Sequence, residues 1–169
     1  STLTITGVST TSSTSIWVKS SNTSIPDPTE VKITVQAAKY EVSSVASGKN
    51  KYHLTLATAL DASNAGATIS VLKDVTDNSD VTISKNIIIS LGSFTITRTS
   101  KVILIGSGTT QIKGSGTILG KGSETIKTED NTSANLTISA GATIRNSGGT
   151  AQEDSIAIHT GANWDGTLN

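Results

Sequence analysis

Apolar and polar residues alternate in short runs along most of this chain. Thr68 to Leu72, Val81 to Ser84, Ile87 to Leu91, Phe94 to Thr97 and Val102 to Ile105 follow one another closely. Thr109 to Lys113, Thr117 to Leu119, Leu136 to Ser139, Thr143 to Arg145 and Ser155 to His159 continue the series. Eight Thr-Ile dipeptides occur in the chain, and seven of them, between Thr68 and Ile144, each sit in a short alternating run. Gly, Asn, Asp or Ser usually follows within a few residues. Period-two alternation bounded by turn formers predicts many short strands, each with one buried face and one wet face. From Thr68 onward successive Thr-Ile pairs lie 6 to 22 residues apart, so the repeat is not strict. Coils of variable length fit a right-handed parallel β-helix better than a short-period solenoid.

The first 45 residues read differently. Leu3, Ile5 and Val8 alternate with Thr and Gly and predict a strand. Ser9 to Ser15 has no apolar residue and reads as a tether. Ile16 to Lys19 predicts a second strand. Pro26-Asp27-Pro28 predicts a stiff turn. Val31, Ile33 and Val35 predict one face of a strand over 30–37. The expected organisation is thus a strand region over 1–45 and an all-β solenoid over 46–169.

One helical pattern interrupts the strands. Leu56, Ala59 and Leu60 share a face at helical spacing, with Thr55 as N-cap and Asn64-Ala65-Gly66 as the stop. A helix over 55–65 is too short to persist alone in water. It is expected to dock on the exposed first coil, because solenoids need end caps.

Composition supports a thin core. Hydrophobic residues make up 34% of the chain, while 25 Ser and 28 Thr account for nearly a third of its 169 residues. A solenoid tolerates this, since each coil buries its few aliphatic side chains against its neighbours. Formal net charge is zero, and Arg occurs only at Arg98 and Arg145. Without a basic stripe, and with five aromatic residues, nucleic-acid binding is not expected. No apolar run approaches about 18 residues, so no membrane-spanning helix is expected. Cys and Met are both absent. The chain reads as a processed secreted protein or an excised fragment, and its Ser/Thr content and lack of oxidisable sulfur suit an extracellular setting.

Residues 51 to 165 resemble bacterial cell-surface proteins with pectin-lyase-like right-handed β-helices. The segments that carry the resemblance are Leu56 to Ala62, Thr68 to Val75, Val81 to Leu91, Thr109 to Gly120 and Leu136 to Gly149. The resemblance implies a cell-envelope or extracellular location. Enzymes on that fold cleave polysaccharides with clustered carboxylates, calcium and a base, or with paired carboxylates. Here Asp74, Asp77 and Asp80 form the one cluster, a possible calcium loop that reads more simply as a turn, since its spacing is not that of an EF-hand and Asp, Asn and Ser are the commonest turn residues. His53 and His159 have no acid–base partner close in sequence and read as surface residues. No nucleophile, zincin or phosphate-loop motif occurs. No enzymatic activity and no obligatory cofactor are expected.

Asn22, Asn131 and Asn135 begin N-glycosylation triplets, which a Ser/Thr-rich chain also produces by chance. The last coil, from Ile156 onward, lacks a capping helix, so Ile156, Ile158 and Trp164 mark an end that needs covering. Trp164 folding over its own coil is one solution, continuation of the natural protein is another, and a second copy stacking there is a third. The expected function is a self-assembling subunit of a surface filament, sheath or layer. Leu3, Ile5 and Val8 would add as a strand to the Trp164 end of another copy, or ends would stack. The alternative is an adhesin or glycan-binding domain of a larger wall protein.

Overall fold

The structure, a computed structural model, describes residues 36–148 and 156–169. Leu3, Ile5, Val8 and Asn22 lie outside the described residues, as do the strand expected at 16–19 and most of that expected at 30–37.

Among the described residues, β1 (Tyr40–Val42), β2 (Tyr52–His53) and α1 (Leu56–Ala62) come first. Four coils of three strands follow. They are β3 (Ala67–Val71), β4 (Val75–Thr76) and β5 (Val81–Ile83), then β6 (Ile87–Ser90), β7 (Thr95–Arg98) and β8 (Ile103–Ile105). The third coil is β9 (Thr109–Lys113), β10 (Thr117–Gly120) and β11 (Glu124–Thr128). The fourth is β12 (Asn135–Ile138), β13 (Thr143–Asn146) and β14 (Ile156–His159). Strands at the same point of successive coils pair in parallel and build three sheets, so the chain is a β-solenoid. Parallel neighbours need long connections, and here each connection is the remainder of a coil.

Register shows how sequence becomes core. In the first sheet Ile69, Ile89, Ile112 and Ile138 lie opposite one another in turn. In the second, Val75, Ile96, Ile118 and Ile144 do the same. In the third the ladder is Val81, Ile103, Ile126 and Ile158. These three columns meet along the axis as one hydrophobic cluster. Each fully buried aliphatic side chain stabilises by about 1.5–3 kcal/mol. The Thr of each Thr-Ile pair in the second sheet, at Thr95, Thr117 and Thr143, forms a matching outer row.

Coil length drifts without breaking register. Ala67 pairs with Ile87, Ile87 with Thr110, and Thr110 with Leu136. The added residues go into turns, which are stitched from coil to coil by Asn and Asp. Asp74, Asn78, Asn86, Asp130 and Asn135 each accept, through a side-chain oxygen, the backbone N–H of Thr95, Thr99, Thr109, Ala162 and Thr167 respectively, at 2.7–2.8 Å. Turn N–H groups that have no strand partner are satisfied in this way.

The first coil is covered. β1 pairs antiparallel with β3, and β2 with β1. β1 therefore belongs to the first sheet, although it falls within the 1–45 strand region expected from sequence. The helix is shorter than expected. It ends at Ala62 because Ser63, in extended conformation, caps it through its N–H to the Leu60 carbonyl. Thr55 is the N-cap and accepts from Thr58 N–H at 3.3 Å. Leu56, Ala59 and Leu60 are buried, and the helix packs on β1, β2 and β5.

Candidate functional site

The two ends of the solenoid differ. At the helical end, Asp77 in the β4–β5 turn forms a buried polar node. Its Oδ2 accepts from Tyr40 Oη at 2.7 Å and from Leu56 N at 2.6 Å. Its Oδ1 accepts from Ser79 N at 2.9 Å and Ser79 Oγ at 2.6 Å. Arg98, at the end of β7, is fully buried and stands 3.7 Å from Asp77 Oδ1 through Nη1. The guanidinium also donates to the carbonyls of Ser79 (2.7 Å), Lys101 (3.1 Å) and Val102 (3.3 Å). One carboxylate thus joins β1, the start of α1 and the second coil.

Electrostatics follow the geometry. Burial pushes the Asp77 carboxyl up, but donors from Ser79, Leu56 and Tyr40 together outweigh it, and its pKa lies below the ordinary value. Tyr40 is raised well above the usual phenol range, first by burial and then by the Asp77 charge and hydrogen bond. Burial lowers Arg98, opposed by Asp77. Asp77 is enclosed by these donors, and its bonds hold the cap to the coils.

Asp74, Asp77 and Asp80, a possible calcium loop in the sequence but more simply a turn, are each engaged separately. Asp74 Oδ1 accepts the Thr95 N–H, Asp77 is filled by its four donors, and exposed Asp80 pairs with Lys101 at 2.8 Å. Among the described residues no group of three or more His, Cys, Asp or Glu stands in metal-holding geometry. His53 Nε2 lies 2.8 Å from the Asn50 carbonyl. His159 Nδ1 contacts Glu124 Oε1 across one coil step, a pairing that 35 residues of separation hid in the sequence. A cleft of about 340 Å³ lies between α1 and β5, with Ala57, Leu60, Asp61, Thr82 and Lys85 in its walls.

Among the described residues the opposite end carries no capping element. Ile138, Ile144 and Ile158 finish the three ladders and are only partly buried, whereas Ile112, Ile118 and Ile126 one coil earlier are sealed. Leu168 is 47% exposed. The chain's own last residues cover one edge: Leu168 forms a parallel bridge to Leu136, and Ile138 N donates to the Asn169 carbonyl at 2.8 Å. Half-buried Trp164 anchors this segment by donating Nε1 to the Ala134 carbonyl at 2.7 Å. Of the residues expected at the receiving end, Ile156 and Ile158 lie together on β14, while Trp164 sits in the segment after it, over Ala134. Among the described residues, β13 and β14 are edge strands with no further neighbour.

Two expected glycosylation sites sit beside this end. Asn131 is exposed, with left-handed backbone. Asn135 is half-buried in β12 and its Oδ1 is engaged by Thr167 N–H. Sequence reasoning missed Tyr40 and Arg98. The signal available was rarity: Arg98 is one of two arginines and Tyr40 one of five aromatic residues. Comparison with protein-family models, with curated proteins and with solved structures returns no match to this chain.

Proposed function

We propose that this chain is a non-enzymatic extracellular structural protein that assembles with copies of itself into a surface filament, sheath or layer. The last coil carries the reading: among the described residues three aliphatic ladders reach half-buried Ile138, Ile144 and Ile158 with no capping element beyond them, while β1, β2 and α1 pack at the other end. Exposed strand edges beside an apolar surface favour strand addition. The segment of Leu3, Ile5 and Val8 from another copy supplies that strand, on the Ser/Thr tether that follows it. Because α1 covers the first coil, joining by this strand is favoured over direct stacking of unlike ends. The zero net charge, the high Ser/Thr content and the absence of Cys and Met support a surface setting, as does the pectin-lyase-like resemblance.

Electron microscopy and sedimentation of the full chain test this. Fibres or sheets are expected, and deletion of residues 1–15 is expected to leave a folded monomer. Unchanged assembly after the deletion, or a full chain that stays monomeric, overturns the reading. A second reading, a glycan-binding adhesin domain of a larger wall protein, draws on the cleft beside α1, where Asp61, Thr82 and Lys85 offer polar groups around Ala57 and Leu60. Glycan binding by a stable monomer would favour it.

A further inference from the structure

At the end of the fourth coil, among the described residues, two edges remain for an added strand, since residues 167–169 already pair with β12. They are β13 in the second sheet and β14 in the third. The second sheet has a fixed pattern at corresponding positions. Phe94-Thr95-Ile96-Thr97-Arg98, Gly116-Thr117-Ile118-Leu119-Gly120 and Ala142-Thr143-Ile144-Arg145-Asn146 stack with Thr on Thr and Ile on Ile. In each, an apolar or small residue precedes an outer Thr and an inner Ile. Leu3-Thr4-Ile5-Thr6-Gly7 repeats that order, and its Gly7 falls at the position of Gly120.

The third sheet has no such pattern. Thr82-Ile83 and Thr125-Ile126 both occur there, but Thr82 stacks on Leu104 and Leu104 on Lys127, so the two dipeptides are out of register. β14 itself reads Ile-Ala-Ile-His.

Resting on the assembly reading above, we infer that Leu3–Gly7 of a second copy adds in parallel to β13, with Thr4 opposite Thr143 and Ile5 opposite Ile144. Ile5 then becomes the fifth member of the Val75–Ile96–Ile118–Ile144 ladder and buries the exposed part of Ile144. Thr4 extends the outer row of Thr95, Thr117 and Thr143. The partner segment is therefore recognised by the same side-chain periodicity that joins coil to coil within one chain.

The chain has no cysteine, so any disulfide reports introduced residues alone. Thr143 is exposed, so Cys is accommodated there. Adjacent strands lie about 4.8 Å apart, within the Cα separation a disulfide spans. Full-length T4C and T143C chains are mixed and oxidised, with T6C and R145C as a second in-register pair. Both mixtures are expected to give cross-linked dimers, and T4C with A157C on β14 is expected to give none. Cross-linking of T4C to A157C places the strand on β14 and overturns the inference. So does cross-linking of T6C to T143C, which means antiparallel addition. A T4C/T143C double variant that closes its disulfide only within one monomer shows that the chain fills its own edge, and also overturns it. If assembly depends on residues 1–15 while the cross-links fail, the assembly reading stands and the register falls. If assembly does not depend on them, both fall.

Discussion

Arg98 Nη1 stands 3.7 Å from Asp77 Oδ1, and both side chains are buried where the cap meets the first two coils. Removing one partner of such a pair strands the other charge without water. The variant Asp77→Asn is expected to lose about 3–5 kcal/mol of stability. Urea unfolding followed by circular dichroism measures it. Combining it with Arg98→Met should recover part of the loss, because the orphaned guanidinium is then gone.

Asp77 also sets a pH dependence. Its folded pKa is below the unfolded value of about 3.9. Its contribution is therefore fully present above the unfolded pKa and disappears as pH falls through the folded pKa. Stability is expected to be level with respect to this group above about pH 5 and to decline below about pH 4. Exposed Asp61 and Asp80, lowered by Lys49 and Lys101, act in the same direction, but salt screens them. Acid titration in high salt should therefore isolate the Asp77 part, and Asp77→Asn should flatten it.

Thr110 occupies an inner position of the first sheet between Ile87 and Leu136, fully buried, and its hydroxyl has no partner among the described residues. Thr110→Val keeps the shape and removes the unsatisfied group, so a gain of about 1 kcal/mol is expected. Thr125 is also fully buried, but its hydroxyl donates to the Arg145 carbonyl at 2.8 Å. Thr125→Val should instead lose about 1 kcal/mol. Opposite shifts in urea midpoint distinguish the two.

Asn163 and Asn131 both hold left-handed backbone, at φ 53° and 55°, and Asn163 Nδ2 donates to Asn131 Oδ1 at 3.0 Å. Asn163→Ala loses the bond and strains the backbone, and is expected to destabilise by about 1–2 kcal/mol. Asn163→Gly relieves the strain and should lose less. Faster hydrogen exchange over residues 160–169 is the measurement that reports it.

The last coil predicts a contrast along one ladder. Ile144→Asp is expected to fold and to stay monomeric in sedimentation, because Ile144 is half-buried at the edge. Ile118→Asp, one coil earlier and sealed, is expected not to fold.

Most of the coil strands were legible because a parallel solenoid asks little beyond local alternation. Thr95-Ile96 or Thr143-Ile144 declares its inner and outer faces without knowing its neighbours. Two strands were not given bounds from the pattern, for local reasons. Val75–Thr76 has only two residues and lies inside an aspartate-rich stretch that reads as a turn. Glu124–Thr128 carries Glu124 and Lys127, which weaken its apolar signal. Helix position was legible from Thr55 and the Leu56/Ala59/Leu60 face, but not its length, because Ser63 turns away to bond Leu60.

Side-chain period and turn chemistry, written into the chain itself, determined that this protein is built from short strands with Ile and Val inside and Thr outside. Tertiary structure decided which strand stacks on which, because coil-to-coil register depends on how many residues each turn absorbs. It alone brought Tyr40, Leu56, Asp77 and Arg98 together at one end, and left Ile138, Ile144 and Ile158 half-covered at the other. Burial depends on what lies above and below a residue in space, and an Ile in the third coil carries the same local pattern as one in the fourth.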